Sequence, residues 1–332
     1  MIEIDGSMGE GGGQIIRTAI AFATITETPV KIRNIRVGRP KPGLAMQHLT
    51  GIEFLAKLTD ATVEGLKLGS KELFFAPHRV RGGKFDLDIK TAGSITLFLQ
   101  TVIPALLDSD ERLEITIKGG TDVRWSPPID FYRFLLIPVL RKMGADIEIE
   151  LLRRGYYPKG NGLVRALINS SKLRGITPEA QMNKRVKGIS HASNLPEHVV
   201  RRQADSAEAK LLEHGISASI ELESTQEIST GSGIFLYSGY KSGSALGERG
   251  KRAEVVGAEA AENILSELGT AARVDIYLAD QLIPYMALAE GRSEISVREM
   301  TGHLKTNISV VEAFMGRIFD VETREGIIHI MT

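Results

Sequence analysis

The chain has no cysteine. That excludes disulfides and thiolate zinc sites and makes an intracellular compartment the expectation. It has no net charge either, since 41 Lys and Arg stand against 41 Asp and Glu. A nucleic-acid partner therefore has to be held by local basic clusters and not by a global field. No apolar run approaches the ~20 residues a membrane helix needs. Met1-Ile2-Glu3-Ile4-Asp5 carries acid where a secretory signal carries base. What is present, 42% hydrophobic and 25% charged residues over 332 positions, belongs to a folded globular protein with room for a large domain and a smaller one. The expectation is a soluble, cytoplasmic protein with no membrane partner.

One order of elements recurs. Ile2-Glu3-Ile4-Asp5 alternates as a short strand, and a helix follows with Ile15, Ile16, Ala19, Ile20 and Ala23 on its apolar face. Val30–Ile35 is the next strand, then come a basic loop, a helix over 44–58 and strands near 61–66 and 72–76. The series repeats as strand 85–89, helix 94–107, strand 113–117, a Gly- and Pro-rich loop, helix 129–143 and strands beyond. A third copy reads as strand 273–277, helix 280–289, strand 294–297, the loop Arg298–Gly302, a helix behind His303 and two last strands. A spacing of roughly 90 residues argues for internal triplication. Between copies two and three, 182–269 reads as an inserted β-α-β-β-α module. Within it a strand covers 184–190 and a helix 196–214, with Asn194 as a plausible cap, and Gly231-Ser232-Gly233 and Ser242-Gly243-Ser244 mark loops. The fold class is α/β (α+β): three units of two helices on a four-stranded sheet, 1–181 with 270–332, and the insert.

Five stretches carry chemistry. Gly302-His303 opens a helix, where free N–H groups and the positive dipole end favour an anion and depress an imidazole's pKa; a surface histidine after a loop has the same sequence. Gly9-Glu10-Gly11-Gly12-Gly13 joins a strand to a helix without matching a standard phosphate loop. Its carboxylate could hold a hard cation, and a tight turn is the plainer alternative. Arg33, Arg36, Arg39 and Lys41 lie in a loop stiffened by Pro40 and Pro42, with Gln47 and His48 beyond, and suit an anion or a nucleic-acid backbone. Arg153–Gly162 is a hairpin loop whose tyrosines and basic residues suit stacking and phosphate contact. In Tyr277-Leu278-Ala279-Asp280-Gln281, Asp280 could be a helix N-cap. His78, His191, His198, His214 and His329 have no ligand-like spacing and read as ordinary.

Gly9–Gln14, Arg39-Pro40-Lys41-Pro42-Gly43-Leu44, Gly119-Gly120-Thr121-Asp122, Arg154-Gly155-Tyr156-Tyr157-Pro158-Lys159-Gly160, Tyr277–Gln281 and His303-Leu304-Lys305-Thr306-Asn307 together resemble the RNA 3′-terminal phosphate cyclase family over essentially the whole chain. The resemblance implies ATP-dependent conversion of an RNA 3′-phosphate to a 2′,3′-cyclic phosphate with a divalent metal, Mg2+ or Mn2+. It makes His303 the nucleophile that takes AMP, and Glu10 the metal-associated carboxylate. Gln100, Pro127, Tyr277, Leu278, Ala279, Asp280 and Gln281 fall at its ATP site, with Pro127 and Tyr277 flanking adenine. Arg17, Arg36, Arg39, Gln47 and His48 fall in its phosphate and RNA cleft. Asn161 departs from the family's glycine run, and the insert matches loosely. The partner is RNA with a 3′-terminal phosphate, and monomer or homodimer stays open. Two alternatives are a non-catalytic cousin in ribosomal RNA maturation, which lacks the histidine, and an enolpyruvyl-type transferase of similar architecture, which lacks these motifs.

Overall fold

The computed structural model describes residues 1–179 and 185–332. The boundary expected between Gln181 and Met182, and Lys184 at the start of an expected strand, lie outside the described residues.

The first unit is β1 (Ile2–Asp5), α1 (Gly13–Ile25), β2 (Val30–Arg33), α2 (Met46–Thr59), β3 (Thr62–Glu64) and β4 (Leu73–Ala76), with sheet order β1-β2-β4-β3. The second is β5 (Gly83–Asp88), α3 (Ile95–Leu107), β6 (Arg112–Gly119), α4 (Ile129–Phe131), α5 (Ile137–Lys142), β7 (Ile147–Arg153) and β8 (Gly162–Asn169), with order β5-β6-β8-β7. Each has one parallel pair followed by two antiparallel ones. This is the expected repeat. The helix expected over 129–143 is not uniform. Between α4 and α5 it widens to π geometry over Tyr132–Leu136, just ahead of Pro138, which lacks the N–H that an α ladder needs.

The insert comprises β9 (Arg185–Ser193), α6 (His198–Leu212), β10 (Ser217–Thr225), β11 (Gly231–Ser238), β12 (Lys241–Leu246) and α7 (Ala253–Leu268), with sheet order β10-β9-β11-β12. Both glycine stretches read as loops are in strands. A side chain at Gly243 would meet the backbone of Ala260 and Ile264 in α7, and one at Gly231 would meet the Tyr156 ring, so these glycines allow close approach and do not make turns. Asn194 caps nothing in α6: its side chain bonds the Glu227 carbonyl. One face of this sheet packs Val186, Ile234 and Leu236 against Ala207, Leu211, Val256 and Ile264 of α6 and α7. The other joins the main core through Ile189 and Phe235, and Tyr237 stacks on Phe134 at 5.4 Å.

The third unit is α8 (Ile276–Leu288), β13 (Glu294–Val297), α9 (Gly302–Met315), β14 (Asp320–Arg324) and β15 (Ile327–Met331), with sheet order β13-β15-β14. The strand expected at 273–277 is not formed. Its place beside β13 is shared by two chain segments: Glu294 N–H donates to the Ile176 carbonyl, and Arg273 and Val274 N–H donate to the Ser296 carbonyl. The chain leaves this edge for the insert and returns to it. Helix α8 therefore starts earlier than expected, and Asp275 caps it by accepting from Leu278 N–H at 2.6 Å. Asp280 is not a cap.

The first helices of the units meet at the centre. Gln14–Thr24 of α1, most of α3 and Leu278–Met286 of α8 are buried, as befits helices with packing on all sides; α1 also packs on α9.

Asp275 is fully buried between α8 and Ser242 of β12, whose hydroxyl donates to it at 2.6 Å. Burial raises its pKa from 3.8 to about 7. A carboxyl that holds its proton more tightly when folded stabilises the fold fully below 3.8, and that stabilisation is lost as pH rises to about 7. Thermal unfolding of wild type and Asp275→Asn across this window is expected to show wild type losing ground to the variant with rising pH. A difference independent of pH would contradict it.

Candidate active site

The N-terminal turn of α9 sits against the β1–α1 loop and the start of α1. Thr301, not Gly302, is the cap of α9, its hydroxyl accepting from Leu304 N–H at 3.1 Å. His303 is thus the second helical residue, half-exposed, with Nε2 3.2 Å from Oε2 of Glu10. Two glycines make that approach possible. An added Cβ at Gly302 would lie 2.7 Å from Glu10 Oε1, and one at Gly9, whose φ is +53°, would meet the Thr306 hydroxyl.

Behind His303 a polar knot joins three helices. Asp280 of α8 accepts from the Gln14 side chain of α1, from Gln281 Nε2 at 3.3 Å and from Asn307 Nδ2 of α9 at 2.8 Å. Asn307 also donates to the Asp280 carbonyl at 2.9 Å and accepts from Thr18 of α1 at 2.6 Å. Gln14 reaches the His303 carbonyl at 3.2 Å. Burial raises the pKa of Asp280, while His303 and Arg17 favour its charged form.

The other side of α1 is basic. Its cap, Gly12, offers no side chain, so the first N–H groups of the helix lack a side-chain acceptor. Arg39 bonds the Glu10 carbonyl at 3.0 Å and lies 3.7 Å from its carboxylate. Arg17 is buried and donates to Gln100 Oε1 of α3 at 2.7 Å. Burial pushes its pKa down to about 10, so it stays charged at neutral pH. His48 is buried too; burial, then Arg17 and Arg36, push its pKa down to about 3. Its Nδ1 accepts from Ala45 N–H at 3.1 Å, which leaves the proton on Nε2, a buried atom with no partner. Gly13 is required here, because a Cβ would meet His48 Nε2 and lie 3.0 Å from Arg17 Nη1. A neutral donor, a guanidinium and helix N–H groups converge, as anion binding needs. Arg36 closes its own loop onto the Gly43 carbonyl at 2.9 Å, and Gln47 is half-buried at the start of α2.

The remaining expected residues spread out. Pro127 accepts from the Thr96 hydroxyl of α3 at 2.7 Å. Tyr277 is 61% exposed on the first turn of α8, with Asp275, Glu267 and Arg298 around it. Leu278 and Ala279 are wholly in the core, so they offer a ligand no side-chain surface.

A second polar cluster bridges the second unit and the insert. Arg154 is buried against Asp122 at 3.2 Å, Asp130 at 2.8 Å and Glu223 of β10 at 2.6 Å. His191, ordinary by sequence, is buried with Nε2 3.6 Å from Asp122, and its Nδ1 is bonded to the Tyr156 hydroxyl at 2.8 Å. Of the two tyrosines in the loop read as suited to stacking, Tyr157 is exposed and Tyr156 is buried. Asp122, Asp130 and His191 have ligand atoms within 4.8 Å of one another, a spacing that suits a metal ion. Arg154 and Arg133 already contact these carboxylates, and two guanidiniums oppose a further cation. The cluster's evident work is to join the insert to the body. Asp122, Arg154, Gln14 and Asn307 lie in the motifs that carry the resemblance, though their sequence context assigns them no partner; His191 lies outside all of them.

Three repeated α/β units with a histidine and a carboxylate facing each other at one helix end, beside a basic cleft, describe an enzyme that works on an anionic substrate. The model of the family described as RNA 3′-terminal phosphate cyclase matches residues 8–321. The RNA 3′-terminal phosphate cyclase of Archaeoglobus fulgidus is 53% identical over 328 residues, covering 99% of this chain and all of that one. Those of Methanosarcina mazei and Pyrococcus furiosus are 49% and 48% identical, over 99% and 98% of this chain and 99% and 96% of theirs. The chain belongs to the RNA 3′-terminal phosphate cyclase family and is an enzyme.

Asn307→Ala would leave the Thr18 hydroxyl and the Asp280 carboxylate short of partners in a buried seam. Urea unfolding is expected to show a loss of about 3 kcal/mol. A loss under about 0.5 kcal/mol, the size of a surface change, would mean that the knot does not hold the helices.

Proposed function

We propose that this enzyme cyclises the 3′-terminal phosphate of RNA at the expense of ATP, with His303 as the nucleophile. The observation that carries the reading is the half-exposed Nε2 of His303, on the first turn of α9, 3.2 Å from Glu10. In the first step Nε2 attacks the α-phosphorus of ATP. The bond to the bridging oxygen breaks and pyrophosphate leaves, which makes one difficult displacement into easier ones. An oxygen of the RNA 3′-phosphate then attacks the same phosphorus and displaces the imidazole. The RNA 2′-hydroxyl attacks the activated 3′-phosphorus, loses its proton and expels AMP.

The chain's residues divide this work. Arg17, Arg36, Arg39, Gln47 and His48 neutralise and orient phosphates through charge and donor N–H groups. Gln100 holds Arg17 in place. Pro127 and Tyr277 flank the adenine, and Leu278 to Gln281 set the helix that presents Tyr277. Glu10 is the residue that would hold a divalent ion, Mg2+ or Mn2+; its carboxylate is half-exposed and offers hard oxygens. That ion supplies charge neutralisation at the triphosphate. In this reading 1–181 and 270–332 form the catalytic body in the cytoplasm and 182–269 the insert. The non-catalytic cousin is disfavoured because His303 stands beside Glu10.

Incubation with α-labelled ATP and metal, then denaturing electrophoresis, is expected to leave an acid-labile label on wild type and none on His303→Ala. Equal labelling of both would move the nucleophile elsewhere. Glu10→Ala is expected to weaken metal-dependent labelling by about tenfold or more; an unchanged metal response would remove the carboxylate from this role.

A further inference from the structure

The turn between β6 and α4 carries the chain's single tryptophan, Trp125, and holds it 92% exposed. Its backbone is left-handed, with φ +61°, a conformation that is an outlier for a bulky residue and points to a use. The turn itself is firmly held. The Ser126 hydroxyl donates to the Val123 carbonyl at 2.9 Å, the Thr96 hydroxyl to the Pro127 carbonyl at 2.7 Å, and Ile129 N–H to the Thr121 carbonyl at 3.0 Å. The indole is therefore presented on a fixed support, without a packing role to explain it.

Trp125, Arg124 and Ser126 line a cleft of about 260 Å³ together with Glu248, Lys251 and Glu259 of the insert. Arg124 is paired with Glu248 and Lys251 with Glu259, so the charges of the cleft are matched and it is the exposed aromatic face, not a basic field, that suits a nucleobase. Helix α3 joins this turn to the phosphate cleft. Thr96 holds the turn, and Gln100, one helical turn or about 6 Å further on, holds Arg17. A strand whose reacting end lies among Arg17, His48 and His303 has its upstream nucleotides within reach of Trp125. An aromatic face takes any base, at a worth that does not depend on hydrogen-bond readout.

We infer that Trp125 is a stacking platform for a nucleobase of the RNA strand upstream of its 3′ end. This rests on the reading of the reaction given above. The base belongs to the RNA and not to ATP, whose adenine that reading places between Pro127 and Tyr277.

The sole indole makes the test direct, because intrinsic tryptophan emission reports this side chain alone. Emission is followed while short 3′-phosphorylated RNA, or ATP with Mg2+, is added. RNA without ATP is expected to quench it, and ATP alone to leave it unchanged. The companion variant is Trp125→Gly, which relieves the left-handed backbone. Its thermal midpoint is expected to equal or exceed that of wild type, while the KM for RNA rises about tenfold and kcat changes much less. Four results would overturn the inference: no quenching by RNA, quenching by ATP alone, an unchanged KM, or emission that tracks protein concentration and so puts a second copy on the indole. Self-adenylylation of wild type in the same samples separates the two readings. If no label forms, the reaction scheme has failed; if label forms and Trp125 ignores RNA, only the stacking platform has.

Discussion

Everything in the site depends on a buried carboxylate shared by three helices. Asp280 lies where α1, α8 and α9 converge, and its acceptors are taken by Gln14, Gln281 and Asn307. An unpaired charge at that depth is strongly unfavourable, and a paired one whose partners come from three helices fixes their relative positions. The first turn of α9 is located this way, and His303 with it. The imidazole can face Glu10 across an open cleft because the load is carried one helical turn deeper, by Asn307.

The electrostatics of the cleft follow from burial more than from charge number. The chain carries equal numbers of acids and bases, yet the start of α1 gathers Arg17, Arg36, Arg39 and His48 with Glu10 as the near acid. Burial leaves Arg17 charged and makes His48 neutral at physiological pH. A fixed cation beside a neutral donor binds an anion without changing its own protonation state. The cluster around Arg154 has the opposite character: its charges are matched internally, and it bonds the insert's β10 to the second unit.

The triplicated body was legible in the sequence because alternation and helical periodicity are local, and each unit repeats them. The third unit defeated that reading at one edge. The place of its first strand is shared by residues near 176 and 273–274, which lie on either side of the insert, and no local pattern reports a strand made in two pieces. Glycines in β11 and β12 looked like loop residues because the partners that require them, Tyr156 and the backbone of α7, are distant in sequence. The cap of α9 is Thr301, whose hydroxyl accepts from Leu304 N–H; a threonine followed by glycine does not by itself mark a helix start. The motifs contain Glu10, Asp280 and His303, but the pairing of Asp280 with Gln14 spans 266 positions, and only the packing of the repeats brings them together.

The central claim is that the buried knot aims the His303 imidazole at the α-phosphorus of a nucleotide. The most direct measurement is a crystal structure with a non-hydrolysable ATP analogue and Mg2+. The account predicts the α-phosphorus beside His303 Nε2, with the triphosphate oxygens against Arg17, Arg39 and the start of α1. A triphosphate bound elsewhere, or a metal ion seated among Asp122, Asp130 and His191 with none near Glu10, would contradict it.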